Sequence, residues 1–175
     1  AIFDIKRMNG TEWRYSKMRP PSFPTIRISQ ISQLLFRRLR MFTHIIDCCD
    51  IEDITKRFDV EVSDYWLTNY KFGKESKARN KEIGTEMQNA LINNAVAPVV
   101  FAYGVQTNDN RKKEWAIEIL ETVPAEINNI TKSWAELGID VRDASESQAL
   151  IELRKNYCDK SNCLRCPICH KIMKY

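Results

Sequence analysis

Apolar residues recur at helical spacing through most of the chain, and that period, rather than the alternation of a strand, is its dominant signal. The clearest run starts at Thr25, where Ile28, Ile31, Leu35, Leu39, Phe42 and Ile46 form one stripe, thickened by Leu34 and Ile45. The spacing predicts a long amphipathic helix with the stripe facing the core and Thr25 as N-cap. Asp47 to Asp50 mark its frayed end, where carboxylates oppose the helix dipole. Shorter helices are predicted over about Ile51 to Phe58 and over Ser63 to Tyr70, the second capped by Ser63 and Asp64 and ended by Gly73. The polar run Lys74 to Lys81 reads as a surface loop.

Ile83 to Tyr103 is apolar on most sides after Leu91, which predicts a central buried helix interrupted at Pro98. Asn93 and Asn94 precede that break, placed to satisfy the carbonyl that a proline leaves unpaired. Val99, Val100 and Phe101 also suit a strand, but the length of the run favours a helix. Further helices are predicted near Lys112 to Thr122, with Trp115, Ile119 and Leu120 turned inward, and over Ala125 to Leu137, with Pro124 at its first position and Gly138 closing it. A last helix, launched by the capping box Ser145-Glu146-Ser147-Gln148, runs to Tyr157.

The first 25 residues break this pattern. Asn9-Gly10 is a turn signal, and Arg19-Pro20-Pro21-Ser22-Phe23-Pro24 cannot run as a helix, because each proline disfavours helical geometry in its predecessor. Trp13, Tyr15, Met18 and Phe23 give this arm apolar side chains to lay across a helical body. The expected fold class is all-α: an irregular bundle of about seven helices over 26–157, an extended arm over 1–25 and a cysteine-rich tail over 158–175, together one domain.

Composition narrows the picture. At 175 residues with 43% hydrophobic content, the chain is long enough for a proper core. No apolar stretch would span a bilayer and no signal-peptide pattern opens the chain, so the expectation is a soluble, cytoplasmic protein with no membrane partner. Under that expectation the glycosylation patterns at Asn9 and Asn129 carry no weight. The net charge of +4 is too small to establish nucleic-acid binding. Arg37, Arg38 and Arg40 cluster, as do Arg111, Lys112 and Lys113, and these are the nucleic-acid candidates; a solvated helix face is the plainer reading. Lys171 and Lys174 add charge beside the tail cysteines. Tyr65, Trp66, Tyr70 and Phe72, interleaved with Lys71 and Lys74, have the composition of a base-stacking platform, although helix-borne aromatics are more often core.

The candidate chemistry lies in the tail. Cys158, Cys163, Cys166 and Cys169 follow C-x4-C-x2-C-x2-C, with His170 directly behind. Four such residues can occupy the corners of a zinc tetrahedron, and His170 can replace one. The shared cysteine of C-x2-C-x2-C also fits an iron–sulfur cluster, and a tail without metal, reduced or holding a Cys158 to Cys163 disulfide, is the third alternative. Cys48 and Cys49 do not resemble a secreted disulfide framework and read as buried thiols. His44 and Asp47 with these cysteines make a weaker metal candidate, because adjacent cysteines point to different sides of a helix. The acids Glu126 and Glu146 are explained by capping, and with only two histidines, no phosphate-binding glycine loop and no HExxH helix, an independent enzyme is the least supported class.

The segment Arg19-Pro20-Pro21-Ser22-Phe23-Pro24-Thr25-Ile26-Arg27-Ile28 resembles a bacterial family, domain of unknown function 2851. The resemblance continues through Tyr65-Trp66, Phe72-Gly73, Leu91-Ile92-Asn93, Pro98 to Gly104, Pro124-Ala125-Glu126-Ile127-Asn128, Ser147-Gln148-Ala149-Leu150 and Tyr157-Cys158 to Cys166. It implies a protein about twice this length, with a nuclease-like N-terminal half rich in His and Asp. This chain would then be the C-terminal half, and any catalytic site would lie outside it. It also implies that Cys169 falls where the family has glycine, leaving Cys158, Cys163 and Cys166 as the shared set, which leaves open His170, an aspartate such as Asp159 or a residue from elsewhere as a fourth donor, or no metal at all. Two functions follow as expectations. One is an accessory or nucleic-acid-binding half, partnered by its own missing N-terminal half. The other is a purely structural or protein-interaction domain in which Arg19, Arg27, Asn93, Glu126, Asn128 and Gln148 form buried polar pairs.

Overall fold

The computed structural model describes residues 6, 8–9 and 12–173; Gly10 of the Asn9-Gly10 turn and Lys174 lie outside them. The fold is all-α, and the sheet among the described residues is one two-stranded antiparallel ribbon, β1 (Asn69–Lys71) and β2 (Lys74–Glu75). None of the described helices is long and apolar enough to cross a membrane. The chain forms two compact units, one of residues 1–44 and 52–84, the other of 45–51 and 85–175.

In the first unit, helix α1 (Pro24–Arg37) begins on a proline, so the N-cap position is Phe23 and Thr25 lies inside the helix rather than capping it. Its buried face is Thr25, Ile26, Ser29 and Gln30, whereas Ile28, Ile31, Leu35, Leu39 and Phe42, predicted to face the core, are exposed. Polar partners cause the inversion. The Thr25 hydroxyl donates to the Tyr70 carbonyl (2.6 Å), and the Gln30 amide donates to the carbonyls of Lys81 (2.8 Å) and Glu82 (3.0 Å). These carbonyls belong to non-helical backbone whose burial demands donors, and a helix can supply them only from side chains. The single predicted helix also breaks over 38–40, where Arg40 takes φ +61°, and resumes as α2 (Met41–Asp47), followed by α3 (Ile51–Arg57).

Helix α4 (Asp64–Thr68) is shorter than the predicted Ser63 to Tyr70. The Thr68 carbonyl accepts from the Ser76 backbone N–H (2.7 Å), so the chain pairs as a ribbon, and Gly73, at φ +64°, makes the ribbon's turn instead of ending a helix. The arm lies on this ribbon: Tyr15 meets Phe23 edge-on at 4.9 Å, Phe23 meets Tyr70 at 6.3 Å, and the Lys71 ammonium sits 4.1 Å above the Tyr15 ring. Lys81, predicted on a surface loop, is only 4% exposed. Its ammonium donates to the Trp66 and Leu67 carbonyls at the end of α4 and rests 4.1 Å from the Tyr70 ring centre, so a helix C-terminus and an aromatic face replace its water.

In the second unit, α5 (Thr85–Leu91), a π-helical turn (Ile92–Val96) and α6 (Ala97–Gln106) form the predicted long helix. The interruption takes the form of a widened turn that ends just before Pro98, with the Ala97 N–H reaching back to the Ile92 carbonyl. Helix α7 (Asn110–Thr122), capped by Asp109, packs closely on α6 at Gly104. A Cβ on Gly104 would meet the Asp109 carbonyl oxygen at 2.9 Å and Lys112 Cβ at 3.0 Å. Two predicted helix starts move. Residues 124–128 form a loop in which Pro124 bridges to Asp143, and α8 (Asn129–Glu136) starts behind Asn128, whose carboxamide takes the Ile130 and Thr131 N–H groups. Helix α9 (Ala144–Leu153) is capped by Asp143, so Ser145 lies within it, and a second π turn (Arg154–Cys158) carries it to the first tail cysteine.

Candidate functional site

The tail folds as two short helical pieces around its cysteines. A 3-10 turn (Cys163–Arg165) lets the Cys166 N–H reach the Cys163 carbonyl (3.1 Å), and Cys166 then leads into α10 (Pro167–Ile172), where Cys169 lies one turn on. This spacing carries the thiols toward one another. Partial burial pushes the Cys169 pKa upward, and the neighbouring Cys163 and Cys166, a hydrogen bond with Cys163, and Cys158 push it in the same direction. Cys169 thus has Cys163 as a hydrogen-bond partner. Cys166 is buried, Cys158 and Cys163 are exposed, and all four are free thiols. His170 is exposed, and the Asp159 carboxylate is engaged by Arg154 at 2.7 Å.

A tighter constellation occurs where the sequence favours it less. His44 Nε2 lies 2.7 Å from an Asp53 carboxylate oxygen, and these two with Cys48 offer donor atoms all within 4.8 Å of one another, a set that could hold a metal ion. The tail cysteines do not form a group of that closeness. Cys48 and Cys49 lie in the non-helical link between α2 and α3; Cys49 is exposed and Cys48 half-buried, so the expectation of two buried thiols does not hold. Asp53, rather than Asp47, completes the set because the chain turns back after Cys48. Helical periodicity carries no signal for such a turn. Cys48 also has local work, since its sulfur lies 3.2 Å from the Asp50 carbonyl.

The polar candidates divide between the units. Arg19 is exposed, while Arg27 is half-buried and donates to the Gln30 carboxamide oxygen at 2.9 Å, with burial lowering its pKa. In the second unit Asn93, Glu126, Asn128 and Gln148 come together. Glu126 Oε1 accepts from the carboxamides of Asn93, Asn94 (3.2 Å) and Gln148 (3.1 Å), and Oε2 from Asn128 (3.4 Å). The Asn94 amide also donates to the Ala90 carbonyl at 3.0 Å, so the two asparagines serve the π turn and Glu126 rather than a carbonyl freed by Pro98. Among the described residues no lysine or arginine pairs with Glu126, which makes it a hydrogen-bond junction joining the π turn, the 124–128 loop and α9.

The basic candidates are less uniform than the sequence suggests. Arg37 and Arg40 are exposed and Arg38 is half-buried. Arg111 is exposed, but Lys112 donates its ammonium to the Ile46 carbonyl, and the stems of Lys112 and Lys113 flank Gly104. The second cluster is thus largely structural. Its signal, three consecutive cations opening a helix, does not distinguish a stem packed against backbone from one in water.

A family model described as a protein of unknown function, DUF2851, matches residues 1–129. Asn93, Glu126 and Asn128 fall within that span; Gln148 and the cysteine tail follow it. No curated protein and no solved structure matches the chain.

Proposed function

The chain belongs to the DUF2851 family, proteins of unknown function, and from that premise we propose that it is a helical accessory domain whose terminus is fastened by a metal ion on Cys158, Cys163, Cys166 and Cys169. The supporting observation is the fold of the tail, where the 3-10 turn and α10 set Cys163, Cys166 and Cys169 one turn apart in succession and Cys163 hydrogen-bonds to Cys169. The Cys169 thiol resists ionisation, because burial and the neighbouring sulfurs raise the cost of its thiolate. A divalent ion reverses this, since a coordinating thiol is deprotonated outright. An all-sulfur donor set favours zinc or an iron–sulfur centre over magnesium or calcium. Zinc is the first choice, because sulfurs at about 2.3 Å from one ion lie close to each other, as the hydrogen-bonded Cys163 and Cys169 do. The metal would pin α10 to the end of α9 and stop the terminus from fraying.

Protein purified without chelator is expected to carry about one zinc per chain by elemental analysis. Cys163→Ser and Cys166→Ser should each lose the metal while the helical circular-dichroism signal of the body survives. Iron with visible absorbance would keep the thiolate centre and replace zinc by a cluster. Metal-free protein that takes up neither zinc nor iron would overturn the reading.

A further inference from the structure

Helix α2 ends at Asp47, the link over 48–50 turns the chain back, and α3 opens at Ile51, so that His44 in the last turn of α2 and Asp53 in the first turn of α3 lie beside Cys48. Imidazole, thiolate and carboxylate are the side chains that bind zinc, and here one of each offers a donor atom within 4.8 Å of the other two. Ligand atoms about 2.0–2.3 Å from one tetrahedral ion stand roughly 3.3–3.6 Å from each other, so a small rotation of these side chains closes the set on an ion.

Two details favour an ion over a plain ion pair. His44 Nε2 is shut off from water and lies 2.7 Å from an Asp53 oxygen, yet it is not aligned to make a hydrogen bond. A histidine that served only the carboxylate would aim its N–H along the line to the oxygen. Here the two atoms are neighbours without that alignment, as two ligands of one ion are. The Cys48 sulfur, for its part, accepts the Asp50 backbone N–H at 3.4 Å, a bond that survives ionisation and favours the thiolate that a metal needs. Cys49 stays out of the set, with its sulfur 3.9 Å from the Asp47 carbonyl.

The donors also select the ion. Magnesium and calcium take oxygen ligands, and an iron–sulfur cluster needs more than one thiolate. One nitrogen, one sulfur and one oxygen suit a borderline divalent ion of the zinc class. Three protein ligands leave the fourth tetrahedral position to water, the pattern of zinc sites that do chemistry rather than only brace a fold. The Asp53 side chain is 48% exposed, which gives solvent a way in on that side.

We propose that His44, Cys48 and Asp53 form a second metal site, separate from the tail cysteines, that binds one zinc-class ion through imidazole, thiolate and carboxylate and keeps an exchangeable water in the fourth position. The thiol proton passes to solvent as the ion enters.

The test uses the 175-residue chain carrying both Cys163→Ser and Cys166→Ser, which removes the tail centre, titrated with zinc by calorimetry. It is expected to bind about one ion per chain with a Kd of about 1 µM or tighter. In that background His44→Ala, Cys48→Ser and Asp53→Ala should each weaken binding about a hundredfold or more, whereas Cys49→Ser should change it less than about threefold. Cobalt(II) in place of zinc should show thiolate-to-metal charge transfer that Cys48→Ser abolishes, and azide should shift its visible bands by taking the open position. In the chain with its tail intact, His44→Ala should lower bound zinc by about one ion per chain and leave the tail's share, so the two centres stand or fall separately. Zinc binding indifferent to Cys48→Ser, a cobalt complex without a thiolate band or unmoved by azide, or zinc content unchanged by His44→Ala overturns the proposal. So does a tail variant with the wild-type circular-dichroism spectrum that takes up no zinc.

Discussion

Helices α1 and α7 are nearly equal in length, at 14 and 13 residues, and both carry a clear apolar stripe, yet they use it in opposite ways. α7 buries Ile119 as its period predicts, together with Ala116, and half-buries Trp115 and Leu120. α1 buries threonine, serine and glutamine beside a single isoleucine and shows its stripe to solvent. The difference lies in what each helix packs against. α7 packs on α6, whose mid-helix backbone groups are already paired, so apolar contact suffices there and Lys112 alone is called to a helix-end carbonyl, that of Ile46. α1 meets ribbon and loop carbonyls that have no ladder partners, and donors take precedence over carbons there because an unpaired buried carbonyl costs about 1–3 kcal/mol. An amphipathic period therefore locates a helix and separates its two faces, while the neighbour decides which one turns inward.

The largest break in this comparison should come at the close α6–α7 approach. Gly104→Val puts a branched side chain against the Asp109 backbone oxygen and is expected to cost about 3 kcal/mol in urea unfolding. A change below about 0.5 kcal/mol would show that the two helices separate easily. Next is Gln30→Leu, an increase in hydrophobicity at a buried position that would stabilise an ordinary core face. It should instead destabilise by about 2 kcal/mol, by stripping the Lys81 and Glu82 carbonyls of their donor.

A smaller effect sharpens the contrast through pH. Burial lowers the Lys81 pKa below its ordinary 10.5. Between that lowered value and 10.5 the unfolded chain holds the proton and the folded chain does not, so stability should rise with pH across this window. Lys81→Met should flatten that rise, as read from melting temperatures in a pH series. The smallest effect is expected at Leu35→Ser, within about 0.5 kcal/mol of wild type, since the leucine is exposed in the free chain. A loss of 2 kcal/mol there would mean that the α1 stripe is covered after all, and would erase the difference from α7.

Several features were legible in the sequence because they are local. The arm's Tyr15 and Phe23, the interruption near Pro98 and the C-x2-C turn all depend on residues within a few positions of one another. The helix starts were less so: Asn128 and Asp143 displaced Pro124 and Ser145 because several residues in each stretch can cap, and the bridge between Pro124 and Asp143 selects among them. Of the candidate sites, the pairing of His44 with Asp53 required a reversal after Cys48 that no period announces. The meeting of Asn93, Glu126 and Gln148 spans more than 50 residues of chain, and their polarity alone did not say that they would share one carboxylate.

What the amino-acid order determined by itself is the helical character of the chain, the places where proline forbids a regular helix, and the crowding of four thiols into one short tail, because each depends on backbone geometry over one or two turns. Only the tertiary structure decided that α1 would hide its hydroxyl and amide groups, that Lys81 would be buried on a helix end, and that Lys112 would serve a backbone carbonyl. These outcomes depend on which distant carbonyls are left without partners once the chain has folded, a property that belongs to no segment taken alone.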